Sequence, residues 1–270
     1  MTLTQPLISV VIPTLGRDSL QAALKSVFKQ SFSNIEVIVV DDSKSQAVAL
    51  ELSPKVELVK SGGNLGPAYS RNLGVSLSKG DLVAFLDDDD EWLPEHLQTL
   101  TNFIKSSELD AAYGSALVEG SVRPKNLITG NIDTLIEVYD SRLPFGKSHY
   151  LPTPALVVKR EVLNHISFNT VLRDREDLWF AHKVFEFGFN LGQIDKVTVL
   201  VNESLGRKLR RSNWKNDLNW YYRLQTVSRK ASLNFIIFVA LRNSILRGDL
   251  KGIFGILFGF ARKADSPDYR

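Results

Sequence analysis

The sequence contains no cysteine, and this absence excludes several kinds of chemistry. With no cysteine among its 270 residues, the chain has no disulfide, no thiolate zinc site and no cysteine nucleophile. A reducing, cytoplasmic location fits this composition. Histidine is also scarce, since there are 4, and none lies close to another in sequence or forms a metal-binding pair on a helix. We therefore expect the histidines to have structural roles.

Several sequence signals of other protein classes are missing as well. The chain has neither a Gly-x-Ser-x-Gly nucleophile motif nor a Gly-x-x-x-x-Gly-Lys phosphate-binding loop. Its start, Met1-Thr-Leu-Thr-Gln-Pro6, does not resemble a signal peptide, so we expect the mature chain to begin there. The two most apolar stretches, residues 233–241 and 253–260, are shorter than the roughly 20 residues that span a bilayer.

The most unusual stretch that is present is a run of four consecutive aspartates, Asp87 to Asp90. It follows residues 82–86, a short apolar run typical of a buried strand, and a helix is predicted to start at Pro94. Adjacent carboxylates repel one another, and a divalent cation such as magnesium or manganese removes that repulsion. Acidic residues also favour helix N-termini, but four in a row exceed what capping requires. The run therefore favours a site for a cation and a nucleotide diphosphate.

Three further clusters follow predicted strands. Pro13 and Thr14 follow the first strand, Asp41 and Asp42 follow the second, and a glycine-rich turn at residues 61–67 follows the third. Each cluster alone would be an ordinary turn. Strands that alternate with helices over short connections predict βαβ units and a mostly parallel sheet. Because ligands bind beyond the carboxyl ends of the strands in such a sheet, the clusters together predict one site.

Four segments of the first half carry a resemblance to a known family. They are Val10-Val-Ile-Pro-Thr14, Val39-Val-Asp-Asp-Ser43, Asn64-Leu-Gly-Pro-Ala-Tyr-Ser-Arg-Asn-Leu-Gly74 and Phe85-Leu-Asp-Asp-Asp-Asp-Glu-Trp92. In this order they resemble the motifs of the inverting family 2 glycosyltransferases, which have the nucleotide-sugar-binding GT-A fold. The resemblance implies an α/β domain of this Rossmann-like fold over residues 1–215, with a mostly parallel central sheet flanked by helices. A C-terminal helical region would occupy residues 216–270.

The resemblance implies a role in the donor site for each matching position. Contacts with the donor nucleotide would come from Pro13, Thr14, Asp42, Asn64, Arg71, Asp87 and Asp88. Thr14 and Asp42 would bracket the base, and Arg71 would reach the base or a phosphate. Asp89 would ligate a manganese or magnesium ion that bridges the two phosphates, with Asp87 as a second ligand. Because all four acids are aspartate, residue type leaves open which of them takes which role.

A second acidic pair, Glu176-Asp177, opens a predicted helix in which Leu178 and Ala181 pack inward. The pair resembles the Glu-Asp pair of the same family, in which a carboxylate acts as general base on the acceptor hydroxyl. Inverting displacement requires such a base opposite the leaving group. We expect Asp177 in this role, with Glu176 as the alternative; both acids would otherwise cap the helix. Residues 191–201 are then predicted to form two strands joined by a turn.

The last part of the chain is first basic and then apolar. Residues 207–230 carry eight basic side chains and one acid. Arg207 and Arg211 are candidate phosphate contacts, unless this segment is a solvated surface. The two apolar stretches beyond it would either pack on the catalytic domain or lie in a membrane interface, and we favour peripheral membrane contact.

These features predict a metal-dependent, inverting glycosyltransferase with a nucleotide-sugar donor, UDP-sugar favoured, and a saccharide or lipid-linked acceptor, as in cell-surface polysaccharide synthesis. We expect a cytoplasmic enzyme, peripheral on the membrane, with no nucleic-acid partner. A sugar-phosphate nucleotidyltransferase would need a glycine-rich loop after the first strand, which Pro13-Thr-Leu-Gly-Arg17 does not supply. A non-catalytic module that binds membranes or anionic polymers leaves the four aspartates unexplained. A retaining transferase of similar fold would differ in the anomeric configuration of its product.

Overall fold

The computed structural model describes residues 5–44, 55–123, 129–130, 151–172 and 176–202. The predictions for the helical region at residues 216–270 and for Arg207 and Arg211 lie outside the described residues. The same is true of the predicted domain boundary at residue 215, which stays a prediction.

The described residues form an α/β domain with one large sheet. Its strands are β1 (Ile8–Thr14), β2 (Ile35–Asp41), β3 (Val56–Lys60), β4 (Leu82–Phe85), β5 (Glu91–Trp92), β6 (Ala111–Val118), β7 (Ser121–Arg123), β8 (Thr129–Gly130), β9 (Leu156–Lys159) and β10 (Leu191–Val201). Its helices are α1 (Leu20–Phe28), α2 (Pro67–Leu77), α3 (His96–Ser106), α4 (Arg160–His165) and α5 (Glu176–Glu186). None of these helices is long and apolar enough to cross a membrane.

The strand order across the described part of the sheet is β3-β2-β1-β4-β9-β6-β10-β5, with β7 beside β6 and β8 beside β10. The first four strands are mutually parallel, as the alternation of strands and helices predicted. All seven residues of β1 are buried, since neighbouring strands lie on both of its sides and α2 packs across it. This parallel half brings the carboxyl ends of β1, β2 and β4 to one edge of the sheet.

The second half of the sheet is mixed. β9 runs antiparallel to both β4 and β6, whereas β10 is parallel to β6 and antiparallel to β5. The prediction of two strands within residues 191–201 is wrong, because β10 continues through the whole range. Its pairing with β6 shifts register between Gln193 and Val197, and this irregularity contains the polar residues Asp195 and Lys196.

The chain after the four aspartates also differs from the prediction. The helix begins at His96, two residues later than Pro94. Glu91 and Trp92 first pair with β10 as the short strand β5, and the Leu93 backbone N–H donates to the Thr198 carbonyl at 2.9 Å. Pro94 therefore links a strand to a helix instead of opening the helix.

Helix α2 is held unusually close to β1. A Cβ atom at Gly74 would lie 2.3 Å from Cγ1 of Val11, so the helix can cross the strand at this distance only with glycine there. Pro67 occupies the first turn, and the residue before it, Gly66, has a φ of 97°. The close crossing places Arg71, one turn before Gly74, beside the carboxyl end of β4.

Candidate functional site

The four aspartates form a tight turn, here called the acidic turn (Asp87–Asp90), at the carboxyl end of β4. The Leu86 N–H donates to the Val11 carbonyl at 3.1 Å, and the Asp90 N–H donates to the Asp87 carbonyl at 3.1 Å. The first bond extends the pairing with β1 by one residue, and the second closes the turn. As a result, the four side chains point to different neighbours, so each acid has its own environment.

Asp88 is bound to the loop that follows β1. Its Oδ2 accepts hydrogen bonds from the Thr14 hydroxyl at 2.6 Å and from the Leu15 N–H at 3.3 Å. Its Oδ1 accepts from the Arg17 guanidinium at 2.8 Å. Burial raises the pKa of Asp88, and these three donors oppose that rise because they favour the carboxylate. Asp88 is thus occupied in joining two loops of the site.

The other three acids of the turn form a cluster that fits a divalent cation. Asp87, Asp89 and Asp90 each offer a carboxylate oxygen, and these oxygens lie within 4.8 Å of one another. Carboxylate oxygens are the ligands that magnesium and manganese prefer. Asn202 at the end of β10 supports the cluster, since its N–H donates to Asp90 at 3.0 Å and its side-chain amide donates to the Asp89 carbonyl at 2.9 Å. The cluster therefore contains the two expected ligands, Asp89 and Asp87, together with Asp90 from the same acidic run.

Arg71 connects the acidic turn with the second acidic pair. Its two terminal nitrogens donate to Asp87 at 2.7 Å and to Glu176 at 3.1 Å, and 3% of its side chain is exposed. Burial lowers the pKa of Arg71, but the charges of Asp87 and Glu176 outweigh this effect and the net pKa lies above the ordinary value. The guanidinium is therefore a permanent positive charge between the two acids.

An aromatic layer supports Arg71 from below. The guanidinium lies 5.4 Å from the centre of the Phe168 ring, which also stacks on Phe180 of α5 at 4.5 Å. The same ring meets Phe85 of β4 edge to face at 5.1 Å. The amide of Asn72, next to Arg71 on α2, binds both the N–H and the carbonyl of Phe168. Phe168 therefore packs against residues of strand β4, helix α2 and helix α5 at the same time.

Asp42 lies at the end of β2, where the structure gives its carboxylate a local role. Its Oδ2 accepts from the Gly66 N–H at 2.7 Å, and its Oδ1 accepts from the Leu65 N–H at 2.9 Å and from the Ser61 hydroxyl. Asn64 has a φ of 60° and donates its N–H to the Asp42 carbonyl at 2.7 Å. Asp42 therefore holds the glycine-rich turn against the sheet.

Asp41, the residue before Asp42 on β2, is also buried but has different hydrogen-bond partners. Oδ1 of Asp41 accepts from the Ser43 N–H at 2.9 Å, while Oδ2 is buried and has no hydrogen-bond partner among the described residues. Pro13, another predicted nucleotide contact, is buried in β1 opposite Val40 of β2. The predicted base-binding residues therefore line the same edge, with Asn64 exposed and the others buried.

Glu176 and Asp177 open helix α5, as predicted, and they differ in their partners. Glu176 is ion-paired with Arg71. Asp177 is half-buried, and its Oδ1 accepts from the Leu178 N–H at 2.7 Å. Burial raises the pKa of the fully buried Tyr113 on β6, and the negative charge of Asp177 raises it further. Asp177 therefore lies within electrostatic range of the Tyr113 hydroxyl, which has no hydrogen-bond partner among the described residues.

The structure brings most predicted site residues together and adds some that the sequence did not reveal. Those at the common edge are Pro13, Thr14, Asp42, Asn64, Arg71, Asp87, Asp88 and Asp89, with Glu176 joined through Arg71. The residues that sequence reasoning missed are Arg17, Tyr113 and Phe168, whereas Asp90 belongs to the predicted run of acids in which the ligands were left open. Arg17 had a usable signal, because it follows the same strand as Thr14. Tyr113 and Phe168 lie in ordinary apolar segments and had none.

Two histidines, His96 and His182, are buried and fit the structural role expected of them. His96 stacks on Trp92 at 4.4 Å, and its Nδ1 lies 2.9 Å from the Thr198 hydroxyl. Burial lowers the pKa of His96 to about 3. Burial likewise lowers the pKa of His182 on α5 to about 4, although Glu186 opposes the shift. Both side chains are therefore neutral at neutral pH.

Comparisons with known proteins agree with this geometry. A family model described as glycosyl transferase family 2 matches residues 9–167. An uncharacterized glycosyltransferase of Haemophilus influenzae is 31% identical over 185 residues, which are 67% of this chain and 62% of that protein. The chain thus spans less than two thirds of that relative's length. A GalNAc(5)-diNAcBac-PP-undecaprenol beta-1,3-glucosyltransferase of Campylobacter jejuni is 26% identical over 268 residues, with 85% of each chain covered.

The fold is shared with a solved structure. TarS of S. aureus in complex with UDP-GlcNAc has a TM-score of 0.69 and 20% identity, with 94% of this chain and 80% of that chain covered. The expected α/β GT-A fold is thereby confirmed. Glu176 and Asp177 lie beyond the residues that the family model matches, so their assignment depends on the geometry around Arg71.

Proposed function

The chain belongs to glycosyl transferase family 2, and we propose that it moves a sugar from a UDP-sugar to an acceptor hydroxyl with inversion at the anomeric carbon. The observation that carries this proposal is the double ion pair of Arg71 with Asp87 and Glu176. Through this pair, the acids assigned to the donor and the acids assigned to the acceptor belong to one site. A binding module without catalysis has no need for that connection.

In this proposal the donor lies over the carboxyl ends of β1, β2 and β4. The base contacts the edge formed by Thr14, Asp42 and Asn64, and the ribose lies near Asp87 and Asp88. Arg71 orders Asp87 instead of binding the base itself, because both of its terminal nitrogens are already paired with acids. The UDP preference is supported by the fold shared with TarS, whose structure contains UDP-GlcNAc.

The cation site of this proposal consists of Asp89, Asp87 and Asp90. Their oxygens are of the type and spacing that hold magnesium or manganese. When bound there, the ion would neutralise charge that develops on the leaving diphosphate. Asp88 stands apart from this set, because Thr14, Leu15 and Arg17 already donate to its carboxylate.

Acceptor activation is assigned to Asp177. As general base, its carboxylate would take the proton of the attacking hydroxyl while the hydroxyl oxygen bonds to the anomeric carbon and the bond from that carbon to the diphosphate breaks. Glu176 is the weaker candidate, since its carboxylate is ion-paired with a buried arginine. Glu176 would instead hold the start of α5, and with it Asp177, in position.

The acceptor is proposed to be a saccharide on a lipid carrier. Support comes from the Campylobacter relative, whose name gives an undecaprenol diphosphate-linked saccharide as its acceptor. Such an acceptor would require the enzyme to work at a membrane surface. The apolar stretches at residues 233–241 and 253–260 are the proposed contact with that surface.

Calorimetric binding of UDP, GDP, dTDP and CDP, with and without manganese, tests the donor site. We expect one nucleotide, UDP, to bind tightly and only with manganese. Asp89→Ala should abolish that binding, whereas Asp195→Ala removes an exposed carboxylate outside the cluster and should not. Binding of no nucleotide under any condition would overturn the proposal. Analysis of the product by NMR then distinguishes inversion from retention.

A further inference from the structure

Arg17 is a cation placed directly on the acidic turn. It lies in the loop between β1 and α1, and one of its terminal nitrogens is 2.8 Å from Asp88 Oδ1 and 2.8 Å from Asp89 Oδ2. Its side chain is 47% exposed, whereas Asp88 and Asp89 are 5% and 13% exposed. The guanidinium therefore covers the two acids from the solvent side.

The two acids that share Arg17 differ in how firmly they are held by other groups. Asp88 also accepts from the Thr14 hydroxyl and the Leu15 N–H, so its position does not depend on Arg17 alone. Asp89 belongs to the cluster whose oxygens are spaced to hold a divalent ion together. Arg17 therefore touches one carboxylate with a structural role and one with a proposed ligand role.

We propose that Arg17 competes with the divalent cation for Asp89 and gives up this carboxylate when the donor diphosphate binds. The part of the inference that concerns the diphosphate rests on the proposed function. The competition itself concerns the ion and this chain alone. Arg17 is a positioning residue in this proposal, because it controls whether the cluster is open to the ion.

Charge and geometry both support an exchange of partners. A guanidinium and a divalent ion repel each other at contact distance, so the oxygen of Asp89 cannot serve both. Arg17 can leave Asp89 without leaving the site, because its bond to Asp88 remains as an anchor. Arginine has a fork of donors that suits phosphate oxygens, and the exposed part of its side chain can turn to them.

The exchange makes cation binding depend on the donor. Without a nucleotide, Arg17 satisfies the charge of the turn and the ion binds weakly. With the nucleotide, the diphosphate supplies new partners to both Arg17 and the ion, so each ligand strengthens the binding of the other. The enzyme would therefore take up the ion together with its donor rather than in advance.

The test is manganese binding, followed by electron paramagnetic resonance, to the full chain with and without UDP. Arg17→Gln should bind manganese alone roughly tenfold more tightly than the unmodified protein, because a positive charge has left the cluster. The factor by which UDP strengthens manganese binding should fall by a similar amount. Arg17→Lys keeps the charge and should lie close to the unmodified protein in binding manganese alone.

Lys25→Gln is the matched control, since Lys25 is an exposed cation on the neighbouring helix α1. It should change manganese affinity by less than about twofold, because a distant surface charge is screened. Circular dichroism would check that each variant is folded.

The possible failures are distinguishable. Unchanged or weaker manganese binding by Arg17→Gln overturns the competition, even if UDP and manganese bind the unmodified protein as the proposed function requires. The same holds if neither protein binds manganese at all. Tighter manganese binding by Arg17→Gln, together with no nucleotide binding by the unmodified protein, supports the competition and overturns the proposed function instead.

Discussion

The acidic turn and the Glu176–Asp177 pair place carboxylates in one site, but they hold them in different ways. Each acid of the turn is distinguished by a different partner: Arg71 for Asp87, Thr14 for Asp88, Arg17 for Asp89 and Asn202 for Asp90. The pair on α5 has one shared anchor, the ion pair of Arg71 with Glu176. The neighbours thus divide four identical residues into a cluster of three, Asp87, Asp89 and Asp90, and a separate Asp88 that joins two loops, whereas the two different residues on α5 divide one role between them.

This difference predicts different costs of mutation. In the turn, a change at an acid of the cluster should affect ion binding, whereas a change at Asp88 should affect stability. In the pair, one acid should carry the chemistry and the other its placement. Substitutions that remove a charge but keep the size of the side chain separate these cases.

The largest effect is expected at Asp177. Asp177→Asn should lower kcat by about a thousandfold or more, because the acceptor hydroxyl loses its base, and should leave manganese-dependent UDP binding unchanged. Glu176→Gln should lower kcat by roughly tenfold to a hundredfold, since it changes placement only. Steady-state kinetics and calorimetry measure the two properties. A larger loss of kcat in Glu176→Gln than in Asp177→Asn would reverse the two assignments.

The next effect separates two neighbours in the turn. Asp89→Asn should weaken manganese-dependent UDP binding by about a hundredfold, because a charged ligand of the ion is lost. Asp88→Asn should weaken it much less and should instead lower the unfolding free energy, since Asp88 joins the β1 loop to the turn. Calorimetry and urea unfolding report these properties. Equal loss of ion binding in both variants would mean that the turn acts only through its total charge.

A smaller effect is expected where the two regions meet. Arg71→Met leaves the acids Asp87 and Glu176 without their buried partner and should lower the unfolding free energy by about 3 kcal/mol. Adding Glu176→Gln removes one of the unpaired charges, so the double variant should recover part of that loss. Urea unfolding measures both. A double variant less stable than Arg71→Met would show that the Arg71 pairs do not govern stability here.

The effect that is smallest per pH unit is expected at the two buried histidines, His96 on α3 and His182 on α5. The pKa of His96 is lowered to about 3 and that of His182 to about 4, so the unfolded chain binds protons that the folded chain does not. Their contribution is complete above the unfolded pKa of about 6.5 and is lost as pH falls, by about 1.4 kcal/mol per pH unit for each histidine.

Replacing either histidine should make the unfolding free energy fall less steeply as the pH is lowered. Urea unfolding midpoints measured between pH 7 and pH 4 would show this change. His96→Gln and His182→Gln should each lower the slope of the unfolding free energy against pH in that range, because one proton fewer is bound on unfolding. If the slope is the same in both variants as in the unmodified protein, carboxylates alone account for the acid sensitivity. Below about pH 4, His182 should no longer contribute to the pH dependence of the unfolding free energy, whereas His96 should contribute until about pH 3.

The sequence predicted the parallel half of the sheet better than the mixed half, for physical reasons. In the parallel half, short apolar strands end in polar clusters, and βα connections bring these ends to one edge. In the mixed half, the bulge of β10 around Asp195 had the polar pattern of a turn. The late start of α3 depends on the pairing of β5 with β10, which is a contact distant in sequence.

The sequence predicted where the site lies in the fold, but not which neighbours each of its residues contacts. Asp88 and Asp89 are the same residue type, and only the loop after β1 distinguishes them. Arg71 was expected to reach the base or a phosphate, which stays a prediction, and the sequence did not show that Asp87 and Glu176 would both lie within its reach. Arg17 was missed although it follows the same strand as Thr14, since a single arginine in a loop carries no periodic pattern that would draw attention to it.

The hydrogen bonds between Asp42 and the glycine-rich turn bear on the conformational entropy that the loop would lose when a nucleotide binds. Three donors of that turn are already bound to its carboxylate before any ligand arrives. Fixing the backbone of a free loop residue costs about 1–2 kcal/mol, and glycine loses the most freedom of any residue. Because folding has already removed that freedom, a nucleotide bound as proposed would meet a rigid edge, and its association rate would be set by encounter rather than by loop closure.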